Sequence, residues 1–205
     1  MIRTLDDLIA YTQQLADNLP ELRDSIVIKR PGCSPDAIVR LKAALAGIPQ
    51  SYLDVVSAID LNGIAIGYFQ LSPGSGKDFV DKLVRCNTAT ANPAADRFHS
   101  DGVYQVASWE ADPIGVAYHA GPFGVGQVVK YNVANPKQKP NLLADNFEHF
   151  LLLAVNLDAI RDKYADSDDP SQAIAEFQRC RDEILSGADS QIASSWGLLS
   201  EVVLS

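Results

Sequence analysis

Three histidines are the side chains of this sequence best suited to acid–base or metal chemistry near neutral pH. His99, His119 and His149 lie far apart, and none forms an H-x-x-x-H or H-E-x-x-H pair. Two imidazoles on one helix need such spacing to share a metal ion. His149 follows Glu148, but adjacent residues on a helix point in different directions. The pattern favours ordinary, partly exposed histidines and predicts no metal site and no catalytic residue.

Two glycine-rich stretches match phosphate-binding loops only in part. A P-loop has the pattern G-x-x-x-x-G-K-[ST]. When Gly76 and Lys77 of "PGSGKDF" are aligned with its G-K, Leu71, two residues before this stretch, stands where the first glycine is needed, and Asp78 stands where the hydroxyl residue is needed. The stretch "GPFGVG" lacks the G-x-G-x-x-G order and is typical of a hairpin turn. We therefore expect no cofactor.

The cysteine count and the composition indicate a folded protein without a disulfide or zinc framework. Cys33, Cys86 and Cys180 are widely spaced and form no CxxC pair, so buried free thiols are expected. The 205 residues, 47% of them hydrophobic, suffice for one sizeable core. No apolar run approaches the ~18 residues of a membrane helix, and the N-terminus lacks a signal-peptide pattern. These features predict a cytoplasmic protein that does not bind membranes.

The net charge of −9 is unevenly distributed along the chain. Residues 1–140 carry 14 acids and 13 bases, whereas residues 141–205 carry 12 acids and 4 bases. An acidic surface disfavours nucleic acid, because such binding depends on Lys and Arg that neutralise phosphates. It suits a basic protein partner. The alternative is that acidic helices only keep the protein dissolved.

Candidate partner-binding residues lie around the central strand-like runs. Trp109 and Glu110 stand at a predicted strand-to-turn junction in "VASWEAD", where an exposed Trp would make a plausible interface anchor. Asp101 and Asp112 are acids that loops near the sheet would expose together with Glu110. We therefore predict that Asp101, Trp109, Glu110 and Asp112 contact the partner.

Helix boundaries are marked by capping residues. Thr4 with Asp7 indicates a capping box at the start of an amphipathic helix. Ser34 precedes a second helix, Pro49 opens a third, and Asp169 precedes one of the two C-terminal helices. A further helix is predicted from about Leu142 to Tyr164, with Phe147 and Phe150 among its core anchors.

Strand-like runs fill the middle of the chain. "SIVIKR" and "IAIGYFQLS" read as strands, three more runs lie between residues 103 and 133, and "ANPAADRFHSDG" reads as a loop. Hairpin-length connections imply antiparallel pairing. The expected fold class is α+β, with a mostly antiparallel sheet of about four to six strands packed by N-terminal and C-terminal helices. Residues 1–165 would form this domain, and residues 166–205 a helical extension packed on it.

Three blocks in this order resemble the SUKH superfamily, which includes the yeast regulator of cell-wall synthesis. "IPQSYLDVVSAIDLNG" is similar to its signature, with Pro49 opening a helix, Tyr52 as the aromatic and Asn62-Gly63 leading into strands. "PIGVAYHAGPFGVGQVVKYNV" resembles its strand, glycine-rich turn and strand. "NLLADNFEHFLLLA" resembles its closing helix. Together the blocks lie within residues 34–154.

This resemblance implies a binding role. Bacterial members of the family resemble immunity proteins, which bind and neutralise toxin domains, many of them nucleases or deaminases. The resemblance brings no catalytic residues. Two alternatives remain open: a regulatory scaffold like the yeast relatives, and an enzyme in which His99 or His119 meets a distant acid. The oligomeric state is not indicated by the sequence.

Overall fold

The computed structural model describes residues 1–88, 95–186 and 189–204, which form nine α-helices and a six-stranded sheet. The helices are α1 (Leu5–Asn18), α2 (Arg23–Ile26), α3 (Pro35–Ala44), α4 (Gln50–Ala58), α5 (Phe79–Cys86), α6 (Ala95–Ser100), α7 (Phe147–Lys163), α8 (Pro170–Leu185) and α9 (Ser190–Leu204). The strands are β1 (Ala65–Ile66), β2 (Phe69–Gln70), β3 (Val103–Trp109), β4 (Asp112–Ala117), β5 (Val128–Lys130) and β6 (Asn141–Ala144). A 3-10 turn, Pro20–Leu22, joins α1 to α2.

The sheet is a meander in which neighbouring strands follow one another in sequence. Its order is β1-β2-β3-β4-β5-β6, and every pair is antiparallel. No strand has to cross over to a parallel neighbour, but β2 and β3 are separated by residues 71–102, which include α5 and α6. The predicted α+β fold with a mostly antiparallel sheet is confirmed.

Local capping chemistry sets several helix starts, as predicted. The Thr4 side chain accepts a hydrogen bond from the Asp7 N–H, and the Asp7 carboxylate accepts one from the Thr4 N–H. Ser34 and Asp169 cap α3 and α8 in the same way. Pro49 stands one position before α4 and not inside its first turn.

Helix α7 is the centre of the core, because every residue from Phe150 to Asp158 is buried. The Phe150 ring lies 5.5 Å from Phe69 on β2 and 6.4 Å from Trp196 on α9, between ring centroids. Trp196 also donates a hydrogen bond from Nε1 to the carbonyl of Leu143 on β6, at 2.6 Å. Helices α8 and α9 therefore contribute to the same apolar core as the sheet.

The structure differs from the sequence-based prediction at three segments. The predicted long helix begins only at Phe147, because residues 141–144 form β6. The stretch predicted as a loop after residue 90 contains α6, while residues 89–94 lie outside the described ones. "SIVIKR" is not a strand: its first two residues end α2, and Lys29 forms only an isolated bridge with Asp60.

Candidate functional site

The tip of the β3–β4 hairpin brings three of the four predicted partner-binding residues together. Trp109 pairs with Asp112 across the hairpin, so Glu110 and Ala111 form a two-residue turn. Glu110 is exposed and has a φ of +51°, in the left-handed region that side chains disfavour. Its carboxylate has no hydrogen-bond or ion-pair partner within the described ranges. Asp112 itself begins β4, directly after this turn.

Asp112 is committed to internal contacts. Its Oδ2 lies 2.6 Å from Nζ of Lys130, a side chain only 6% exposed, and its Oδ1 accepts a hydrogen bond from the Val133 N–H at 2.9 Å. The Lys130 ammonium also lies 4.5 Å from the ring centroid of Trp109. These contacts make Asp112 the counter-ion of a buried lysine, which is a structural role.

Asp101 lies at the opposite end of the same hairpin. It precedes the seven residues of β3, and such a strand spans about 20 Å. The Tyr131 hydroxyl donates a hydrogen bond to its Oδ2 at 2.9 Å, and the Arg97 guanidinium lies 4.8 Å from the Tyr131 ring centroid. The structure thus separates Asp101 from the other three candidates, and of the three acids only Glu110 keeps a free carboxylate.

Two of the histidines have no carboxylate partner in the part of the chain that the structure describes. His99 Nε2 lies 2.7 Å from the carbonyl oxygen of Asn87, and its ring packs edge-on to Tyr104. His119 is exposed beyond the end of β4. The expectation of the enzyme alternative, an acid beside His99 or His119, is therefore not met by any described residue.

The third histidine lines an open cleft of about 410 Å³ between α7 and α8, the His149 cleft. Its walls include Glu148, Leu152, Glu183 and Arg3. Arg3 pairs with Glu183 at 2.6 Å, and both side chains are more than half exposed. The buried Nδ1 of His149 has no hydrogen-bond partner among the described residues. A general base needs an orienting partner, and this ring has none within the described ranges.

A second cleft combines apolar and charged walls, and sequence reasoning missed it. It has a volume of about 360 Å³ and lies between α1, α2, the β1–β2 hairpin and α7. We call it the Asp158 groove. Four apolar side chains form one wall and three charged ones the other. The apolar residues are Leu15, Leu19, Leu22 and Ile26; the charged residues are Asp158, Arg161 and Asp162.

Asp158 is a buried acid whose carboxylate has only weak or poorly aligned contacts with its neighbours. Its side chain is 4% exposed, and the Tyr11 hydroxyl donates only a long hydrogen bond, 3.4 Å, to its Oδ2. Oδ1 lies 2.7 Å from Nη2 of Arg161 but without hydrogen-bond geometry. Burial raises the pKa of Asp158 to about 6, and the nearby Arg161 offsets only part of this rise.

A glycine lets the β1–β2 hairpin approach this carboxylate. Gly67 has a φ of +53°, and a Cβ built there would lie 2.5 Å from Asp158 Oδ1. No larger residue fits without displacing the acid, so the hairpin and α7 have complementary shapes at the groove. This contact contributes to the burial of Asp158.

Arg161 bridges the two acids of the groove. Besides Asp158, it binds Oδ1 of Asp162 through Nη2 at 2.9 Å and through Nε at 3.3 Å. Its guanidinium lies 5.6 Å from the ring centroid of Tyr68, an exposed residue at the hairpin tip. Oδ2 of Asp162 has no partner among the described residues. The groove therefore carries one uncompensated negative charge beside an apolar wall.

Nothing matches this chain in comparisons with protein-family models, curated proteins and solved structures. Within the described residues, no helix has both the length and the hydropathy that crossing a membrane requires. The same residues contain no cluster of three or more His, Cys, Asp or Glu side chains arranged to hold a metal ion.

The three blocks that resemble the SUKH pattern meet in space. Tyr52 of the first block contacts Phe147 of the third edge-on, with ring centroids 4.8 Å apart. Gly126, in the glycine-rich turn of the second block, has a φ of +90°. A Cβ built there would lie 3.2 Å from the Ser51 hydroxyl, so this turn lies against the start of α4. The start of α4, the glycine-rich turn and the start of α7 therefore form one packed unit.

Proposed function

We propose that this protein is a cytoplasmic immunity-type protein that binds and neutralises a basic toxin domain, such as a nuclease. The observation that carries the proposal is the mutual packing of the three SUKH-like blocks. The Tyr52–Phe147 contact joins residues far apart in the chain, one from the first block and one from the third. If the blocks form one structural unit as in that family, the binding role of its bacterial members is the function to test first.

The placement of charge supports a basic partner. Most of the acidic excess lies in residues 141–205, which include helices α7, α8 and α9. Opposite charges on two proteins raise the association rate and disfavour wrong partners. An acidic surface repels the phosphate backbone, so the protein would contact the toxin and not its nucleic-acid substrate.

Co-expression tests the proposal. The toxin domain to use is the C-terminal domain of a large toxin encoded beside this gene, expressed from an inducible promoter with and without this protein. We expect growth to be restored and the purified pair to form a complex at submicromolar concentration, with an association rate that falls as salt is raised. A folded protein that neither restores growth nor binds this domain would refute the proposal.

The same experiment distinguishes the regulatory-scaffold alternative from the proposed immunity function. A scaffold would bind a protein of its own cell and would leave growth unprotected. Restored growth without a complex would indicate action on the toxin's target or product, which the enzyme alternative requires.

A further inference from the structure

We propose that the Asp158 groove receives a lysine side chain from a basic protein partner. The inference rests on the proposed function in one respect, namely that the partner is a basic protein. It adds the place of contact and the chemistry of the residue that enters.

Two of the four residues of the apolar wall are exposed in the free protein, whereas Leu15 is half-buried and Ile26 is buried. Leu19 is 37% exposed and Leu22 45%, and Tyr68 on the adjoining hairpin is 42% exposed. These three are among nine large apolar side chains that the described residues expose. Leu19 and Leu22 line the groove, and Tyr68 lies on the hairpin whose Gly67 lines it. Exposed apolar surface concentrated in a groove is typical of a binding site.

The charged wall selects a cation. Asp158 and Asp162 face a single positive group, Arg161, which is held between them. Oδ2 of Asp162 is left as a free acceptor, and the Asp162 side chain is 44% exposed. An incoming ammonium can bind this oxygen without displacing Arg161. The buried charge of Asp158 then adds to the attraction, because the low-dielectric surroundings screen it weakly.

Lysine fits both walls at once. Its side chain has an apolar four-carbon stem that packs along aliphatic groups, and a compact ammonium that prefers carboxylate oxygens. The groove volume of about 360 Å³ is near the lower limit of ligand pockets, about 300–1,000 Å³. The groove is therefore large enough for one long side chain. A partner rich in lysine offers such side chains at its surface.

Methyl NMR with a small lysine mimic tests the groove without the partner. The probe is N-acetyl-lysine methylamide, and N-acetyl-norleucine methylamide is the uncharged analogue with a similar stem. We expect the methyl signals of Leu15, Leu19, Leu22 and Ile26 to shift saturably with the lysine probe. The norleucine analogue should bind about three- to tenfold more weakly, because it lacks the charged contact.

A matched pair of variants identifies the charged contact. Asp162→Asn should weaken binding of the lysine probe by a similar factor, about three- to tenfold. Asp182→Asn is the control, because Asp182 binds its neighbour Arg181 through Oδ1 as Asp162 binds Arg161, but lies on α8 and does not line the groove. It should leave the affinity unchanged. Amide spectra of both variants confirm that they fold.

Three results would overturn the proposal: equal binding of the norleucine analogue, an equal effect of Asp182→Asn, or shifts spread over other surfaces. The outcome is independent of the growth assay. A groove that binds the lysine probe in a protein without toxin binding would contradict the proposed function alone. Toxin binding that is unchanged by Asp162→Asn would contradict the groove alone.

Discussion

The Asp158→Asn variant should be more stable than the wild-type protein near neutral pH. Asparagine keeps the shape of the side chain and removes the buried charge. The folded-state pKa of Asp158 is raised from 3.8 to about 6, mainly by burial. At about 1.4 kcal/mol per pKa unit, the ionised form costs the folded state about 3 kcal/mol. Because asparagine mimics the neutral acid, the expected gain is up to about 3 kcal/mol.

The stabilising effect of Asp158→Asn should depend on pH, because Asp158 loses its proton at different pH values in the folded and unfolded states. Well below the ordinary pKa of 3.8, Asp158 is protonated in both states and contributes no penalty. As the pH rises from 3.8 to about 6, the unfolded chain releases this proton first, so the free energy of unfolding falls. Above about pH 6 the full penalty is present. The stability gain of Asp158→Asn should therefore be largest above about pH 6 and shrink as the pH falls towards 4.

Urea denaturation followed by Trp fluorescence measures the effect, with midpoints and slopes compared at several pH values. Asp182→Asn serves again as the control and should change stability by less than about 0.5 kcal/mol at every pH, since Asp182 is exposed. The reasoning is refuted if Asp158→Asn is less stable than wild type near neutral pH, or if its gain does not depend on pH. A more stable variant that binds the lysine probe more weakly would show that the acid is kept for binding at a cost in stability.

Three further predictions concern the hairpin and the sheet edge. Asp112→Asn should lower the free energy of unfolding by about 3 kcal/mol, since it leaves the Lys130 ammonium buried without its counter-ion. Glu110→Gly should raise it by up to about 1 kcal/mol, because glycine adopts a positive φ without strain. Trp196→Phe should lower it by about 2 kcal/mol, since the Leu143 carbonyl loses its donor and the core loses volume. Urea denaturation measures all three.

For each of these three predictions, one result would contradict the expectation. An unchanged Asp112→Asn protein would mean that Lys130 finds water or another acceptor. A destabilised Glu110→Gly protein would mean that the turn does not strain this residue. For Trp196→Phe, hydrogen exchange should quicken at β6 more than at β3, and equal changes would argue against a local role of the Nε1 bond.

Features set by local chemistry could be predicted from the sequence. The Thr4–Asp7 capping box and the caps at Ser34 and Asp169 lie where the sequence predicts them, because a cap needs only residues within one helical turn. The antiparallel pairing of the later strands follows from the short connections between these strand-like runs. These short-range rules were enough for the fold class.

Strand β6 could not be predicted, because its buried residues do not alternate between apolar and polar as those of a half-exposed strand do. Leu142, Leu143 and Ala144 are all buried, so the strand shows no alternation of apolar and polar residues. A short apolar run followed by more apolar residues reads equally well as the start of a helix. Only pairing with β5 and the cover provided by α9 distinguish the two.

The roles of the predicted acids also depend on partners distant in sequence. Asp101 and Asp112 lie beside predicted turns, where acids are usually exposed. Their partners, Tyr131 and Lys130, lie on or just beyond β5, and no spacing rule connects them. One feature of the sequence could have indicated the Asp158 groove: an acid, Asp158, lies inside the apolar run "FLLLAVNLDAI". A polar residue within a fully buried helix either has a structural partner or serves a function.

The two polar residues on the buried part of α7 show how to tell these cases apart. Asn156 accepts a hydrogen bond from the Ile2 N–H and donates to the Ile2 and Leu152 carbonyls, at 2.7–3.0 Å, so it holds the N-terminus against the core. Its burial is fully explained by the fold. Asp158 has no comparable set of partners, and burial raises its pKa.

Tests of partner binding by charge reversal should follow the same distinction. At Asp101 or Asp112, a lysine would break contacts with Tyr131 or Lys130, so lost binding would report damage to the fold. The Glu110 carboxylate has no internal partner among the described residues, although the Glu110 N–H donates to the Tyr68 carbonyl, and Asp162 leaves one carboxylate oxygen free. Loss of binding after charge reversal at Glu110 would therefore report the interface. At Asp162 a lysine would also break the pair with Arg161, so Asp162→Asn is the variant to use there.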